Sequence, residues 1–387
     1  MGFFVGKDRE VRRAYGFDEI ALAPGALTIN PEDVNASWTI GNLKIDIPII
    51  AAAMDGVVDI KFAQKMGKLG GLAVLNLDGV QTRYKNPAKI LNEVACAPPE
   101  TATALIQNLY KEEVKHELIA ARVKEIKSAG VICAVSIVPK KAAEYGPIVQ
   151  KAGADILIIQ STVTTVKHES SAYESLDFKN IISNLDIPVI VGNCVSYDAT
   201  LDLMETGAAG ILVGVGPGAA CTTRGVLGIG VPQVTATVDC AAARDYFFKK
   251  TGKYVSIITD GGMDSGGDIC KAFASGADAV MVGSLFARAF EAPGKGYHWG
   301  MATPDKNLPR GTRVSVGVNA TIKQILVGPA NLDDGSQNLA GALKTSMGSL
   351  GAKNIKEMQM VDMVIAPAIK SEGKLLQKTQ KVGMGKK

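Results

Sequence analysis

The sequence predicts a (β/α)8 barrel, the TIM-barrel form of the α/β class, with a flap after its eighth strand and a C-terminal tail. The first observation is a succession of eight short runs rich in Val, Ile and Ala, separated by helical segments. Several runs follow one another at about twenty residues, the length of one βα unit. The second is a composition that is 47% apolar but only 5% aromatic, which suits a parallel sheet packed against helices.

Each predicted strand is an apolar run bounded by polar or glycine-rich segments. The runs are residues 49–54, 72–76, 133–137, 154–160, 188–193, 210–215, 256–262 and 279–284. Gly153, Gly207 and Gly276 stand just before three of them and predict helix ends, because glycine readily adopts the left-handed conformation of a C-cap. A doubly wound open sheet is the alternative, because a count of strands does not show that the sheet closes.

Two stretches interrupt the alternation of strands and helices. Residues 77–130 are long and charged, with residues 111–113 inside a helical pattern. Residues 285–327 contain several prolines and glycines, and in a barrel they would cover the strand ends as an active-site flap. Residues 320–327 predict a helix, and residues 365–387 predict a solvated, lysine-rich tail. The chain is therefore interpreted as a single barrel domain spanning residues 1–387.

Charge and cysteine content exclude several classes of protein. The formal net charge of +4 is too small to indicate a nucleic-acid partner. Apolar runs stay shorter than the ~18 residues of a membrane span, and the chain does not open on a signal peptide. The six cysteines lack C-x-x-C spacing, and Cys133 and Cys194 lie in apolar runs that predict core positions. This pattern indicates free thiols in a reducing, cytoplasmic compartment.

The most informative segment is the glycine-rich loop at residues 214–224, GVGPGAACTTR, which follows the sixth predicted strand. Its glycines let backbone N–H and C=O groups line a concavity for an ion. Cys221 stands two residues before the hydroxyl of Thr223, so a thiolate held there is a candidate nucleophile. A tight turn with a buried cysteine is the alternative interpretation. The G-x-G-x-G spacing is not that of a Rossmann fingerprint, and we exclude a Rossmann site.

Glycine pairs follow the seventh and eighth predicted strands. Phosphate sites in this fold are commonly built there, from glycine N–H groups and a hydroxyl. Gly261-Gly262 and Gly283-Ser284 fit that description, although each pair could also form a plain turn. Asp260 would repel phosphate but accept hydrogen bonds from ribose hydroxyls. The predicted ligand is therefore a nucleotide.

These motifs resemble those of the IMP dehydrogenase / GMP reductase family along nearly the whole chain. The most specific pieces are the string at 213–224, the D-G-G at 260–262 and Gly283-Ser284. Residues 17–24, 48–55, 230–233 and 266–269 follow in family order. Gly300-Met301 resembles the pair that meets the purine base.

The resemblance implies a specific chemistry. The Cys221 thiolate would attack C2 of bound IMP, hydride would pass to NAD⁺, and water would hydrolyse the covalent thioimidate to XMP, a step of guanine nucleotide biosynthesis. Thr223 would help to position or activate that water. The implied IMP-binding residues are Met54, Asn193, Asp260, Gly261, Gly262, Gly283, Ser284, Gly300 and Met301. The implied NAD-binding residues are Gln160, Ser161, Thr162 and Gly214.

A potassium ion and a symmetric assembly are also implied by the resemblance. Backbone carbonyls of Gly216, Gly218 and Cys221 would hold the ion and so order the loop. Residues Glu372, Gly373 and Lys374 fall where a neighbouring subunit completes that site in the family. The expected assembly is a homotetramer or an octamer, with IMP and NAD as its small-molecule partners.

The chain departs from the family pattern at several positions. Ala219 replaces a serine, Gln160 stands where an aspartate normally touches the nicotinamide ribose, and His298-Trp299 replaces Tyr-Arg. The Arg-Tyr pair that supplies the base for hydrolysis has no counterpart, so Arg310 and Arg313 are the predicted substitutes. The paired CBS (Bateman) regulatory module is expected to be absent, because residues 78–118 are too few and too unlike it.

The resemblance leaves two enzymes and one binding protein to compare. Val231, Leu285 and residues 291–294 favour IMP dehydrogenase. The missing Arg-Tyr pair and Arg310 favour GMP reductase, which uses NADPH to convert GMP to IMP and ammonia. A non-catalytic purine-nucleotide-binding protein is the third interpretation. The intact pair of Cys221 and Thr223 argues against it.

Overall fold

Eight parallel strands close into a barrel in the computed structural model, which describes residues 3–169, 171, 176–300, 311–369 and 371–383. We number the barrel strands β1 to β8 in chain order. They are Ile49–Ala51, Leu72–Asn76, Ala134–Ile137, Ile156–Gln160, Val189–Cys194, Gly210–Val213, Ser256–Asp260 and Ala279–Val282. Each strand pairs with its neighbours in sequence, and β8 pairs with β1. The prediction of a (β/α)8 barrel is confirmed, and the open sheet is excluded.

The strands are apolar on both faces because each face meets a different core. In β4, Ile156 and Ile158 point into the barrel, where they join Leu212 and other interior residues. Leu157 and Ile159 point outward into the layer between sheet and helices. This alternation has the two-residue period of a strand, and burial on both sides explains why each strand reads as a continuous apolar run.

Helices surround the barrel and supply the connections between its strands. In chain order they are Ile60–Lys68 (α1), Val80–Arg83 (α2), Pro87–Cys96 (α3), Pro99–Leu109 (α4), His116–Lys127 (α5), Ala142–Ala152 (α6), Phe178–Ser183 (α7), Tyr197–Glu205 (α8), Thr223–Leu227 (α9), Gln233–Thr251 (α10), Gly266–Ala274 (α11), Ser284–Ala287 (α12), Ile322–Leu326 (α13), Leu339–Ser349 (α14), Ile355–Met358 (α15) and Leu375–Gln380 (α16). Gly153, Gly207 and Gly276 end helices with φ of 96°, 94° and 110°, which confirms their predicted role. The helix predicted at 320–327 is the shorter α13.

The long connection between β2 and β3 folds into α2 to α5. Arg83 is buried, and its guanidinium donates to the backbone carbonyls of Asp78, Tyr110 and Glu112. Because Arg83 holds these carbonyls, α4 ends at Leu109 and the chain turns there. The prediction of a helical pattern at residues 111–113 is therefore wrong. The contacts of Arg83 thus override the local preference of residues 111–113 for a helix.

The segment after β8 forms a two-stranded antiparallel hairpin over the strand ends. Strand Tyr297–Trp299 pairs with Arg313–Ser315, with His298 opposite Val314. Trp299 is fully buried, and its Nε1 donates to the Tyr110 hydroxyl at 3.0 Å. That hydroxyl donates in turn to Asp55 Oδ2 at 2.5 Å. The hairpin is thus attached both to the β2–β3 connection and to the loop that follows β1.

The opposite end of the barrel is closed by an antiparallel hairpin. Strands Trp38–Ile40 and Leu43–Ile45 pair with each other. Trp38 and Ile40 pack in the same cluster as the barrel-interior side chains, and Trp38 Nε1 donates to Ser256 Oγ at 3.0 Å. Ser256 is the first residue of β7, so this hairpin covers the amino-terminal ends of the strands.

The C-terminal segment returns to the start of the chain. Strand Met363–Ile365 pairs with Ile20–Leu22, so the segment predicted as a tail begins in a strand pair and then forms α16. A further short pair joins Phe3–Phe4 to Glu10–Val11. Across the described parts of the chain, every helix is too short or too polar to span a bilayer.

Candidate active site

A cavity of about 430 Å³ opens at the carboxyl ends of the barrel strands. It gathers residues that the sequence places far apart, because all eight parallel strands end on the same side. The predicted site residues that line it are Met54, Gln160, Ser161, Thr162, Asn193, Gly214, Gly216, Gly218, Cys221, Thr223, Asp260, Gly261, Gly262, Gly283, Ser284 and Gly300. The hairpin after β8 adds Gly311 and Thr312 to the same wall.

Several predicted site residues do not line this cavity. Arg313 donates to the backbone carbonyls of Val94, Ala95 and Ala97 at the end of α3, and it stacks 4.1 Å from the ring centre of Tyr297. Its guanidinium is committed to these contacts, so the structure does not bring Arg313 to the cavity as a base. Glu372, Gly373 and Lys374 belong to the C-terminal segment and also do not line the cavity of their own chain. Met301 and Arg310 lie outside the described residues.

The glycine-rich loop leaves β6 through a backbone conformation that needs glycine. Gly214 has φ of 145°, and a Cβ there would lie 2.5 Å from the Asp260 carbonyl oxygen. The Gly214 amide donates to the Cys194 carbonyl at 3.0 Å, which attaches the loop to β5 as well. The loop is then followed at once by α9, a five-residue helix that begins at Thr223. This single short turn is not the long helix that follows the glycine-rich loop of a Rossmann site.

Cys221 and Thr223 lie together on the cavity wall. The Cys221 Sγ is 3.2 Å from the Thr223 Oγ1, and the Cys221 amide donates to the Gly218 carbonyl at 3.0 Å. Cys221 is exposed to the cavity, whereas Cys133 and Cys270 are buried in apolar surroundings. Burial raises the pKa of Cys133 to about 12 and that of Cys270 to about 11, so these thiols are chemically inert. Cys221 is the thiol with both access and a hydroxyl neighbour.

The two glycine pairs lie beside the loop, where they were predicted to form a phosphate site. Gly261 and Gly262 have φ of 79° and 81°, so the chain turns sharply after β7. Ser284 begins α12, and a Cβ at Gly283 would lie 2.8 Å from the Met54 sulfur. Main-chain amides at such turns, with a serine hydroxyl, suit an anion in a tight space.

Asp260 forms the polar wall between Cys221 and the glycine pairs. Asn193 Nδ2 donates to Asp260 Oδ2 at 2.8 Å. Burial raises the pKa of the Asp260 carboxyl to about 6, and the hydrogen bond from Asn193 opposes this rise. Asn193 is buried, and its amide holds Oδ2 of Asp260 in place on the cavity wall. This geometry suits a ligand with paired hydroxyl groups.

The far wall of the cavity carries amide and hydroxyl groups from the end of β4. Gln160 Nε2 donates to Ser136 Oγ at 2.6 Å, which fixes the orientation of the amide. Ser161 Oγ donates to the Val163 carbonyl at 2.8 Å. These contacts leave Gln160 Oε1 as an acceptor at this wall.

His298 is a site residue that we did not predict. It lies in the hairpin strand Tyr297–Trp299, lines the cavity, and places Nε2 3.2 Å from Ser284 Oγ. Burial lowers the pKa of His298 to about 4, so the ring is neutral at physiological pH. His298 stands two residues before Gly300, a predicted site residue, and this position in the sequence could have indicated that His298 belongs to the site.

The fold and the site define an α/β-barrel protein with an exposed cysteine on the wall of a cavity at the carboxyl ends of its strands. A family model for the IMP dehydrogenase / GMP reductase domain matches residues 14–374. The chain therefore belongs to the IMP dehydrogenase / GMP reductase family, and it is an oxidoreductase of that family.

Individual relatives extend over nearly the whole chain. An uncharacterized oxidoreductase of Mycolicibacterium smegmatis is 39% identical over 370 residues, covering 93% of this chain and 99% of that protein. An inosine-5'-monophosphate dehydrogenase of Methanocaldococcus jannaschii is 28% identical, covering 92% of this chain and 93% of that protein. A crystal structure of an IMP dehydrogenase/GMP reductase-like protein from Corynebacterium glutamicum matches with a TM-score of 0.88 at 36% identity, covering 94% and 97% of the two chains.

The raised pKa of Asp260 predicts a pH-dependent stability. The folded protein binds a proton between about pH 6 and pH 4 that the unfolded chain, with an ordinary pKa of 3.8, does not bind. The contribution of Asp260 to the free energy of unfolding should therefore rise by about 2.5 kcal/mol as the pH falls from about 7 to 4. Asp260→Asn should remove that rise, as measured by urea unfolding at several pH values.

The difference in the free energy of unfolding between wild type and Asp260→Asn reports on Asp260 alone, because the other titrating groups contribute equally to both proteins. Asp46→Asn, at an exposed carboxylate, is the matched control and should leave the wild-type profile in place. Parallel profiles for wild type and Asp260→Asn would contradict the raised pKa.

Proposed function

We propose that the protein is an NAD-dependent IMP dehydrogenase that oxidises IMP to XMP. The observation that carries the proposal is the contact between Cys221 Sγ and Thr223 Oγ1 at 3.2 Å, in a cavity that also holds Asp260 and both glycine pairs. An exposed thiol, a neighbouring hydroxyl and a cavity of about 430 Å³ thus occur together, which supports the proposal. Family membership supplies the chemistry in which these groups act together.

The groups that line the cavity indicate how the nucleotide would bind. The phosphate would be held by amides of Gly262 and Gly283 and by the Ser284 hydroxyl. The ribose hydroxyls would donate to Asp260, which Asn193 holds in place at 2.8 Å. This arrangement leaves the purine over Cys221, and Met54 lines the same wall. Gly261, Gly300 and Met301 complete the proposed IMP site.

The chemistry divides into a covalent step and a hydrolytic step. The thiolate of Cys221 adds to C2 of the purine, and C2 then loses a hydride, leaving a thioimidate between C2 and sulfur. Water adds to C2, the C–S bond breaks, and the thiolate is regenerated with XMP as product. Thr223 is close enough to the sulfur to orient that water by a hydrogen bond.

Bound NAD⁺ would supply the hydride acceptor. The polar wall at the end of β4 fits a nicotinamide ribose, because Gln160 Nε2 is held by Ser136 and its Oε1 can accept from a ribose hydroxyl. Ser161, Thr162 and Gly214 line the same cavity and are the other proposed contacts. The oxidation of IMP and the reduction of NAD⁺ would then occur in the same cavity.

GMP reductase is the second candidate, and one observation favours it. Arg313 is held by α3 and is not available as a base for hydrolysis, a step that a reductase does not need. The sequence at Val231 and Leu285 supports the dehydrogenase. Mixing the protein with IMP and NAD⁺ should raise the absorbance of reduced nicotinamide. A fall in that absorbance with GMP and NADPH, and no rise with IMP, would assign the reductase.

Replacement of Cys221 tests the nucleophile. Cys221→Ala should reduce turnover to background while leaving IMP binding intact, because the cavity walls do not depend on the thiol. Cys96→Ala is the matched control, since Cys96 is the other exposed cysteine in the described chain. Steady-state absorbance measures turnover, and equilibrium dialysis measures IMP binding. A Cys221→Ala protein that keeps more than a few per cent of wild-type kcat would remove Cys221 from the mechanism.

A monovalent cation is proposed at the glycine-rich loop. Backbone carbonyls are the oxygen ligands that potassium prefers, and Gly216, Gly218 and Cys221 supply them on one turn of the loop. Gly216 has φ of 71°, which tilts its neighbouring carbonyls away from regular structure. Glu372, Gly373 and Lys374 of a neighbouring copy would complete the set, so the proposal includes a homotetramer or octamer. The residues present fit a cation that takes neutral oxygen ligands.

Activity should therefore depend on potassium. Replacing potassium by sodium at constant ionic strength should lower kcat, because the loop that carries Cys221 would lose its ordering ion. The comparison is made at saturating IMP, so that a change in IMP affinity does not enter. Equal kcat in the two salts would remove the cation from the mechanism.

Arg310 remains the proposed flap base, and Arg313 serves as its internal control. Loss of a general base costs about 100-fold or more in rate, so Arg310→Ala should slow hydrolysis while leaving the hydride burst intact. Covalent enzyme–XMP should then accumulate, as detected by the mass of the intact protein. Arg313→Ala should instead lower stability, because the carbonyls of Val94, Ala95 and Ala97 all lose a hydrogen bond from the guanidinium. If both variants keep full turnover, hydrolysis uses Thr223 and water without these arginines.

A further inference from the structure

In the part of the chain that the structure describes, the side chains around the expected phosphate provide no fixed positive charge. The side chains that line the cavity in the described chain include carboxylates, hydroxyls, amides and thioethers, but neither lysine nor arginine. A phosphoryl dianion placed beside Ser284 would therefore find no fixed cation among these residues, and one nitrogen base among them could take up a proton. That base is His298.

His298 is buried and incompletely hydrogen-bonded. It is 1% exposed, and its Nε2 lies 3.2 Å from Ser284 Oγ. Its Nδ1 finds no hydrogen-bond partner among the residues that the structure describes. A buried ring nitrogen without a hydrogen-bond partner lowers the stability of the folded protein. Such an atom is expected where a bound ligand supplies the missing hydrogen bond. The hairpin strand that carries His298 is held in register by Val314 on the opposite strand.

The elements packed around His298 present several titratable groups. These are Asp55 in the loop after β1, Tyr110 at the end of α4, Asp260 on β7, Cys221 in the glycine-rich loop and Arg313 on the paired strand. Burial is the one cause that lowers the pKa of His298, to about 4, and no charged neighbour contributes. The imidazole is therefore neutral in the empty cavity, with one N–H and one acceptor nitrogen.

We propose that His298 is the group that recognises the phosphoryl dianion of the ligand, and that it takes up one proton from solvent when that dianion binds beside Ser284. The inference rests on the proposed function, because it assigns the phosphate of the nucleotide to this wall. A dianion favours the protonated ring, since an opposite charge close by raises the pKa of a histidine. The protonated ring has two N–H donors and would supply a positive charge that the other described lining residues do not provide.

The sign of the pH dependence follows from linkage. The empty site binds a proton only below about pH 4, whereas the occupied site binds one up to a higher pH. Between these two values the affinity for a dianion of fixed charge should weaken about tenfold for each unit that the pH rises. Above the pKa of the occupied site the affinity should become constant.

Inorganic sulfate is the first probe, because it is a dianion that does not titrate near neutral pH. Calorimetry at about pH 5.5, in two buffers of different ionisation enthalpy, measures the protons taken up per sulfate bound. We expect close to one proton for the wild type and close to zero for His298→Gln, whose amide keeps a polar group near Ser284 but does not titrate. His116→Gln is the matched control, at a half-exposed histidine paired with Glu144, and should behave as wild type.

A second measurement does not depend on the variant folding. The chain contains three histidines, so a protein labelled only at histidine gives few imidazole signals. In the wild type, sulfate should move one buried imidazole from a neutral to a protonated chemical shift at about pH 5.5. Sulfate that binds without proton uptake and without that change would overturn the proposal.

Binding of IMP and of inosine distinguishes the role of His298 from the proposed function. His298→Gln should lower the affinity for IMP at least tenfold while leaving that for inosine, which has no phosphate, unchanged. Proton uptake with sulfate in a protein that does not bind IMP would refute the function and keep the anion site. Turnover of IMP with no loss of IMP affinity in His298→Gln would keep the function and refute the role of His298.

Discussion

The close approach of two strand ends determines the geometry of the site. Gly214 leaves β6 so near to β7 that a side chain there would collide with the Asp260 carbonyl oxygen. Gln233, at the start of α10, joins the same two strands, because its Nε2 donates to the carbonyls of Val213 and Asp260 at 3.1 and 3.0 Å. The loop that carries Cys221 is consequently held beside Asp260 and Gly262. The spacing of the Cys221 thiol, the Asp260 carboxylate and the turn at Gly262 depends on this close approach of the two strands.

A second constraint positions the cover of the cavity. The buried sequence of hydrogen bonds from Trp299 to Tyr110 and on to Asp55 joins the hairpin after β8 to the loop after β1. Burial raises the pKa of Asp55 to about 6, while the Tyr110 hydroxyl and the Val80 amide favour its charged form. His298 is the neighbour of Trp299, so the network that fixes the tryptophan also fixes where the histidine stands. The unusual β2–β3 connection therefore contributes to the site although Tyr110 does not line it.

Most of the barrel could be predicted because strands buried on both faces produce apolar runs that are easy to recognise. The predicted strands extended past the hydrogen-bonded ladder, as at Gly261-Gly262, because sequence alone does not show where pairing stops. The candidate site was predictable where a motif joins neighbouring residues, as in the contact of Cys221 with Thr223. It was not predictable where the chain folds back: Arg313 meets carbonyls more than two hundred positions earlier, and Arg83 ends α4 from a distance. The contact of His298 with Ser284 could not be predicted either, because it joins residues on two different elements, the hairpin strand and α12.

The hairpin that contains Trp38 and Ile40 fills the amino-terminal end of the barrel with apolar side chains. The floor of the barrel is therefore closed by packed side chains, whereas the cavity opens at the carboxyl ends of the strands. The two ligands of the proposed reaction would consequently approach from the same side of the barrel, which is the side where the hairpin that carries His298 lies.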